Sequence, residues 1–139
     1  ISEMKQKYTR EITELSCHPM FHHEYALSKL KQRGYKIAVC SNSIKSTIEL
    51  MMEKSALMPY IDIIISNEDV ERAKPDPEMY LTAMQKLSMQ SDECLVVEDN
   101  PKGIEAGKRS GAHVMEVATV YDVNYETIIK HIMKFNGEE

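Results

Sequence analysis

Three apolar runs in this chain each stop at a polar turn and restart as an amphipathic helix, and this alternation limits the fold more than any other feature. Tyr35-Lys36-Ile37-Ala38-Val39-Cys40 runs into Ser41-Asn42-Ser43. Ile61-Asp62-Ile63-Ile64-Ile65 runs into the polar stretch 66–76, and Cys94-Leu95-Val96-Val97 runs into Glu98-Asp99-Asn100-Pro101. Short apolar runs bounded by turn formers read as strands buried on both faces. A fourth run, His113 to Val117, fits the same pattern. Strands separated by helices need right-handed crossovers, which predicts an α/β fold with a parallel sheet.

The helical segments follow the 3.6-residue period. Met4, Tyr8, Ile12 and Leu15 make one apolar stripe, which predicts a helix over Ser2 to Ser16 that His18-Pro19 ends. No strand precedes it. The next helix covers about His22 to Gln32, with Ala26, Leu27 and Leu30 inward and Gly34 as its stop. Ile44, Ile48, Met51 and Met52 mark a helix over about Ile44 to Leu57, ended by Pro59. Asp76-Pro77 opens a helix lined by Tyr80, Ala83, Met84 and Leu87. Asn100-Pro101 opens another, with a capping side chain followed by a residue whose φ is already helical. In it Gly103, Gly107 and Gly111 recur every four residues. Glycine inside a helix costs about 1 kcal/mol against alanine. Three on one face predict close approach to the sheet or a ligand, with Gly111 also a stop. Tyr125, Ile128, Ile129, Ile132 and Met133 mark a last helix.

With 139 residues the chain suits one domain with one core. A net charge of −5 and the lack of a basic run argue against nucleic acid as a partner. No apolar stretch approaches the ~20 residues that cross a bilayer. No signal peptide opens the chain, so neither a membrane nor secretion is expected. Cys17, Cys40 and Cys94 are odd in number and widely spaced, which reads as reduced thiols in a cytoplasmic protein. The five histidines lack the spacings of a zinc site. Because the first residue is Ile1 and not Met, the chain is expected to be a piece of something longer.

In an open parallel sheet, ligands bind beyond the carboxyl ends of the strands. Ser41 follows the first predicted strand, Lys74 lies in the loop after the second, and Glu98 and Asp99 end the third. A hydroxyl, an ammonium and two carboxylates suit a phosphate facing a magnesium ion. The metal and the lysine would both stabilise charge on a transferring phosphoryl group. Singly, each residue has a plainer role. Ser41 would cap the helix near Ile44, Lys74 would be a solvated cation restricted to extended backbone by Pro75, and the carboxylates would favour a helix dipole. Their convergence on one sheet edge favours a shared site.

Three segments carry a family resemblance. Val39-Cys40-Ser41-Asn42-Ser43 (39–43), Ala73-Lys74-Pro75-Asp76-Pro77 (73–77) with Glu78-Met79-Tyr80, and Val96-Val97-Glu98-Asp99-Asn100 (96–100) resemble motifs II, III and IV of the haloacid dehalogenase (HAD) superfamily. Gly103-Ile104-Glu105-Ala106-Gly107 and Ser110-Gly111-Ala112 follow as in that family. The nearest branch holds β-phosphoglucomutases and related sugar-phosphate phosphatases, and the resemblance covers about Gly34 to Val117. It implies a three-layer Rossmannoid HAD-like core over 17–139. It also implies a Mg²⁺-dependent phosphohydrolase for a small phosphorylated, sugar phosphate-like metabolite, working through an aspartyl phosphate. The alternatives are a phosphomutase of the β-phosphoglucomutase type and a non-catalytic binding domain. By the resemblance Ser41 and Asn42 bind phosphoryl oxygens, Lys74 binds phosphate and balances charge at the nucleophile, and Glu98 and Asp99 help hold Mg²⁺. Ser43 and Lys45 lie where the family's mutases bind a second phosphate, though a loop hydroxyl and a solvated lysine are the plainer reading. A receiver-type signalling domain is disfavoured, because its acids come first and here they come last.

One departure is large. Motif I, an Asp-x-Asp after an N-terminal strand, supplies the family's nucleophile and has no counterpart here. Residues 1–16 resemble only the last helix of an otherwise missing cap. In the family the motif I strand lies between the strands at 35–40 and 94–97. The expectation is therefore a vacant central slot with two bare strand edges, and a Mg²⁺ site weak or empty in this chain. The chain alone should be inactive, with the missing N-terminal segment of the same protein as a partner.

Overall fold

The computed structural model describes the backbone of Ser2–Lys5 and the whole of residues 19–137. Five strands, β1 (Ser2–Lys5), β2 (Ile37–Cys40), β3 (Ile63–Ile65), β4 (Leu95–Glu98) and β5 (His113–Glu116), form one parallel sheet in the order β3-β2-β1-β4-β5. The helices are α1 (Phe21–Gln32), α2 (Lys45–Lys54), α3 (Glu78–Lys86), α4 (Pro101–Arg109) and α5 (Tyr125–Phe135).

Two-residue alternation assigns each buried strand to two cores. Ile37, Val39, Leu95 and Val97 face one side and pack with Leu27 and Leu30 of α1, Ile48 and Met52 of α2, and Ile128 and Ile132 of α5. Ala38, Cys40, Cys94 and Val96 face the other and pack with Met79, Tyr80 and Ala83 of α3 and Ala106 of α4. Helices on both faces of a parallel sheet make the three-layer α/β fold that the alternation of runs predicts. Both described cysteines are buried, Cys40 Sγ lying 3.9 Å from the Met79 carbonyl and Cys94 Sγ 3.4 Å from the Gln90 carbonyl.

The expected vacant slot is corrected. Strands β2 and β4 are not bonded to each other; β1 lies between them, pairing Ser2 with Ile37 and Leu95, and Met4 with Val39 and Val97. The predicted helix over Ser2 to Ser16 is thereby corrected at its start, since Ser2–Lys5 is strand. Its remainder, with Cys17, lies outside the described residues. The reason is backbone satisfaction. Two buried strands facing an empty slot would leave two rows of amide and carbonyl groups unpaired, and one extended segment satisfies both. Residues 2–5 gain more from two ladders than from continuing a one-stripe helix.

Smaller differences have local causes. The second predicted strand begins at Ile63, because Asp62 is taken up elsewhere: its carboxylate accepts from the Lys31 ammonium at 2.8 and 2.7 Å and from the Ile37 amide at 2.7 Å. Helix α2 stops at Lys54 and not at Leu57, as the chain turns through Ala56 at φ 59°. Helix α4 ends before Gly111, whose φ of +88° suits the residue after a helix.

Candidate active site

The order β3-β2-β1-β4-β5 places a crevice beyond the carboxyl ends of β2, β1 and β4, where the chain changes direction across the sheet. Lys74 is the hub of what gathers there. Its side chain is 2% exposed, and its ammonium donates to the Cys40 carbonyl at the end of β2 at 2.7 Å. The same ammonium stands 3.8 Å from Glu98 Oε2 at the end of β4 and 5.2 Å from the centre of the Tyr80 ring on α3. Its backbone amide donates to Asn42 Oδ1 at 3.3 Å, across a loop in which the Lys74–Pro75 peptide bond is cis. The plainer reading of Lys74 as a solvated cation is thereby ruled out by its burial.

Glu98 is 1% exposed and fully engaged. Besides Lys74, its Oε1 accepts the amides of Asp99 at 3.0 Å and Asn100 at 3.2 Å. The carboxylate lies directly on α4 at Gly103, where any Cβ would collide with it. Gly107, one turn on, meets the sheet instead, since a Cβ there would stand 2.9 Å from Val96. Of the two expectations from its spacing, the glycine face meets the first, close approach to residues of the sheet. Asn100 caps α4, accepting the Lys102 amide at 2.9 Å.

Ser41 is buried at the start of the loop after β2. Its amide donates to the Ile65 carbonyl at 3.0 Å, and its hydroxyl oxygen accepts the Ser43 amide at 3.1 Å. It does not cap α2. That helix starts after Ile44, and Glu68 from the loop after β3 accepts the Lys45 amide at 2.9 Å. Lys74 therefore joins Cys40, Asn42 and Glu98 by direct contact, and Ser41 and Asp99 are the next residues along the chain on either side of this cluster. The strand between them brings no aspartate. One residue beyond the Val39–Met4–Val97 row, β1 places Lys5 beside Cys40.

The turn Val120–Asp122 borders the same edge, and sequence reasoning missed it. Thr119, Val120 and Val123 line, with Glu98 and Asp99, a hollow of about 10 Å³, room for a single water. Two histidines of α1 hold this turn through one atom: the Val120 carbonyl accepts from His23 Nε2 at 2.8 Å and His22 Nε2 at 3.3 Å. Burial brings the His23 imidazole down to a pKa of about 4, although its bond to Val120 pulls the other way. The Thr119-x-x-Asp122 pattern was the available signal. Its side chains form a capping box, and the amides of Thr119 and Ala118 hold the exposed Asp122 carboxyl below the usual carboxylate range. Tyr80, expected in the motif III segment and on the inner face of its helix, also sets its ring against Lys74, the other contact that sequence reasoning missed.

Mg²⁺ takes near-octahedral oxygen ligands. Among the described residues no group of three or more His, Cys, Asp or Glu side chains could hold a metal. Glu98 is already engaged by an ammonium and two amides, and Asp99 follows it directly after the end of β4. The described donors alone fall short of a magnesium site.

Comparison with known proteins bears on this arrangement. The sequence profile described as haloacid dehalogenase-like hydrolase matches residues 1–117. Pyrophosphatase PpaX of Bacillus mycoides is 28% identical over 117 residues, spanning 75% of this chain and 54% of that protein. The chain thus spans about half the length of this curated relative. Among solved structures, a HAD family hydrolase of Deinococcus radiodurans with bound phosphate and sodium is 29% identical, with a TM-score of 0.65 over 68% of this chain and 42% of that one. CbbY of Rhodobacter sphaeroides, in complex with xylulose-(1,5)bisphosphate, has a TM-score of 0.62 at 20% identity over 73% of this chain and 47% of its own, a likeness of fold alone.

Proposed function

This chain belongs to the haloacid dehalogenase-like hydrolase family, and from that membership we propose that the whole protein is a Mg²⁺-dependent phosphohydrolase acting on a small phosphorylated metabolite, of the sugar-phosphate kind. The observation that carries the reading is the buried Lys74 ammonium, held between the end of β2 and Glu98 at the end of β4. A positive charge fixed at the carboxyl edge of a parallel sheet suits a phosphoryl group, whose charge grows on its oxygens during transfer. Ser41 and Asn42 would bind those oxygens, and Asp99, seconded by Glu98, would contribute to the metal site with ligands from outside the described residues. Magnesium, when bound, would supply further stabilisation of charge on the phosphate. The phosphate bound in the Deinococcus relative supports a phosphorylated ligand. A phosphomutase shares every residue used here.

A second reading has its own observation. The strand at the centre of the sheet carries Ser-Glu-Met-Lys and no aspartate, so nothing on it can form an aspartyl phosphate. For this chain by itself we propose a phosphate-binding domain without turnover, its partial core being residues 17–139 together with the strand Ser2–Lys5. The test is Mg²⁺-dependent phosphate release from an aryl phosphate. The 139-residue chain should release none, whereas a longer protein bearing an Asp-x-Asp strand should turn over and lose most of its Mg²⁺ dependence with Asp99→Asn. Turnover by the chain alone would refute the assignment of the missing nucleophile.

A further inference from the structure

We propose that a hollow at the amino edge of the sheet, lined by His113, His131 and Lys134, is a binding site for a small organic anion with a flat apolar body. The hollow measures about 350 Å³, and Leu95, Val114 and Phe135 complete its lining. That volume falls within the ~300–1,000 Å³ of small-ligand sites. It is separate from the crevice around Lys74. Leu95 and His113 begin β4 and β5, while Glu98 ends β4, about 10 Å further along the strand at ~3.3 Å per residue.

Three features select the ligand. The first is charge. All three polar lining side chains can be cationic, and none is a carboxylate, in a chain whose net charge is −5. Among the described residues Lys134 has no carboxylate partner. Asp92 and Glu93 line the neighbouring hollow, and Glu93 Oε1 there accepts the Gln90 amide at 2.8 Å.

The second is the state of the imidazoles. His113 Nε2 lies 3.0 Å from the Asp92 carbonyl, and His131 Nδ1 lies 3.0 Å from the Thr127 carbonyl. A carbonyl only accepts, so each of these nitrogens carries a proton. His113 Nδ1 and His131 Nε2 remain for a ligand, and once protonated they become charge-assisted donors to an anion. The adjacent lysine disfavours a metal cation as the occupant. The third is shape. His113 stacks on Phe135 with ring centres 3.9 Å apart and planes 8° from parallel. This stack offers an apolar surface to a planar group, while the cationic side chains take the charged end.

The probe is phenylphosphonate, which carries both parts and resists phosphatase action, with inorganic phosphate as the comparison. Its titration into the chain, followed by NMR of the backbone amides and of the histidine and Phe135 rings, should give saturable shifts at His113, His131 and Phe135 at millimolar concentration. Inorganic phosphate should bind more weakly. The exposed pair His131→Ala with Lys134→Ala should weaken phenylphosphonate at least about tenfold without changing the fold by circular dichroism. Shifts confined to Ser41, Asn42 and Asp99, no shift at all, equal affinity for inorganic phosphate, or an unaltered double variant would each overturn the proposal.

Discussion

Lys74 carries its charge to a place that water does not reach, and three groups compensate it: the Cys40 carbonyl, the Glu98 carboxylate and the face of the Tyr80 ring. Removing one partner of a buried ion pair costs about 3–5 kcal/mol, because the other charge is left unbalanced. Glu98→Gln should therefore lower unfolding free energy by about 3 kcal/mol in urea titration, and a Lys74→Met, Glu98→Leu double variant should lose much less. A cost for the double variant as large as for Glu98→Gln would mean that the pair contributes only packing. His23 makes a separate prediction. Its imidazole has a pKa of about 4 in the folded chain against 6.5 ordinarily, so between those values the unfolded chain binds more protons. Its contribution is complete above the upper value and is lost as pH falls toward the lower one, up to about 3 kcal/mol. The acid-side fall in the urea midpoint should be shallower in His23→Gln. Matching slopes would show that other groups, such as the carboxylates, control it.

Helix α4 shows what an element can announce in its sequence and what it cannot. Its cap at Asn100, its first-turn Pro101 and its glycine face were all legible, as was the carboxylate pair before it. The partner of each glycine was not, because spacing fixes a face but not what lies opposite. Gly103 proves to cradle Glu98, and Gly107 proves to admit Val96. Gly103→Ala should gain about 1 kcal/mol in helix propensity and lose about 1–3 kcal/mol to overpacking, a net destabilisation measurable by thermal unfolding. A stabilised variant would show that the Glu98 carboxylate can move aside freely. The motif residues Ser41, Asn42 and Lys74 were placed on the right edge because each follows a strand end. The link from α1 to the Val120 turn escaped notice, since His22 and His23 have no spacing that points about a hundred residues ahead.

At the scale of the molecule, the alternation of short apolar runs with helices made the parallel three-layer architecture readable, and the family match accords with it. The centre of the sheet was not readable. Met4 fits a helical stripe with Tyr8 and Ile12 as well as it fits a strand, and only two waiting strand edges decide between them. Among the described residues no helix is long and apolar enough to cross a membrane. Met4→Pro, which removes one amide from the ladder at the central strand, should destabilise the chain by about 3 kcal/mol or more and promote association through exposed edges, seen as larger species in size-exclusion chromatography. An unchanged elution profile and stability would argue that β1 contributes little to the sheet.

The position of β1 also sets a timetable. The strand precedes both its partners, which begin at Ile37 and at Leu95, the second some ninety residues later. A ribosome adds about 5–20 residues per second, so for several seconds β2 can pair with β1 while β4 cannot. Closing so long a loop comes late, because its entropy is lost before the contacts that reward it are made. The chain can assemble its local helices and the β2–β3 pair early. The crevice beside Lys74, which needs β4, should be among the last features to form.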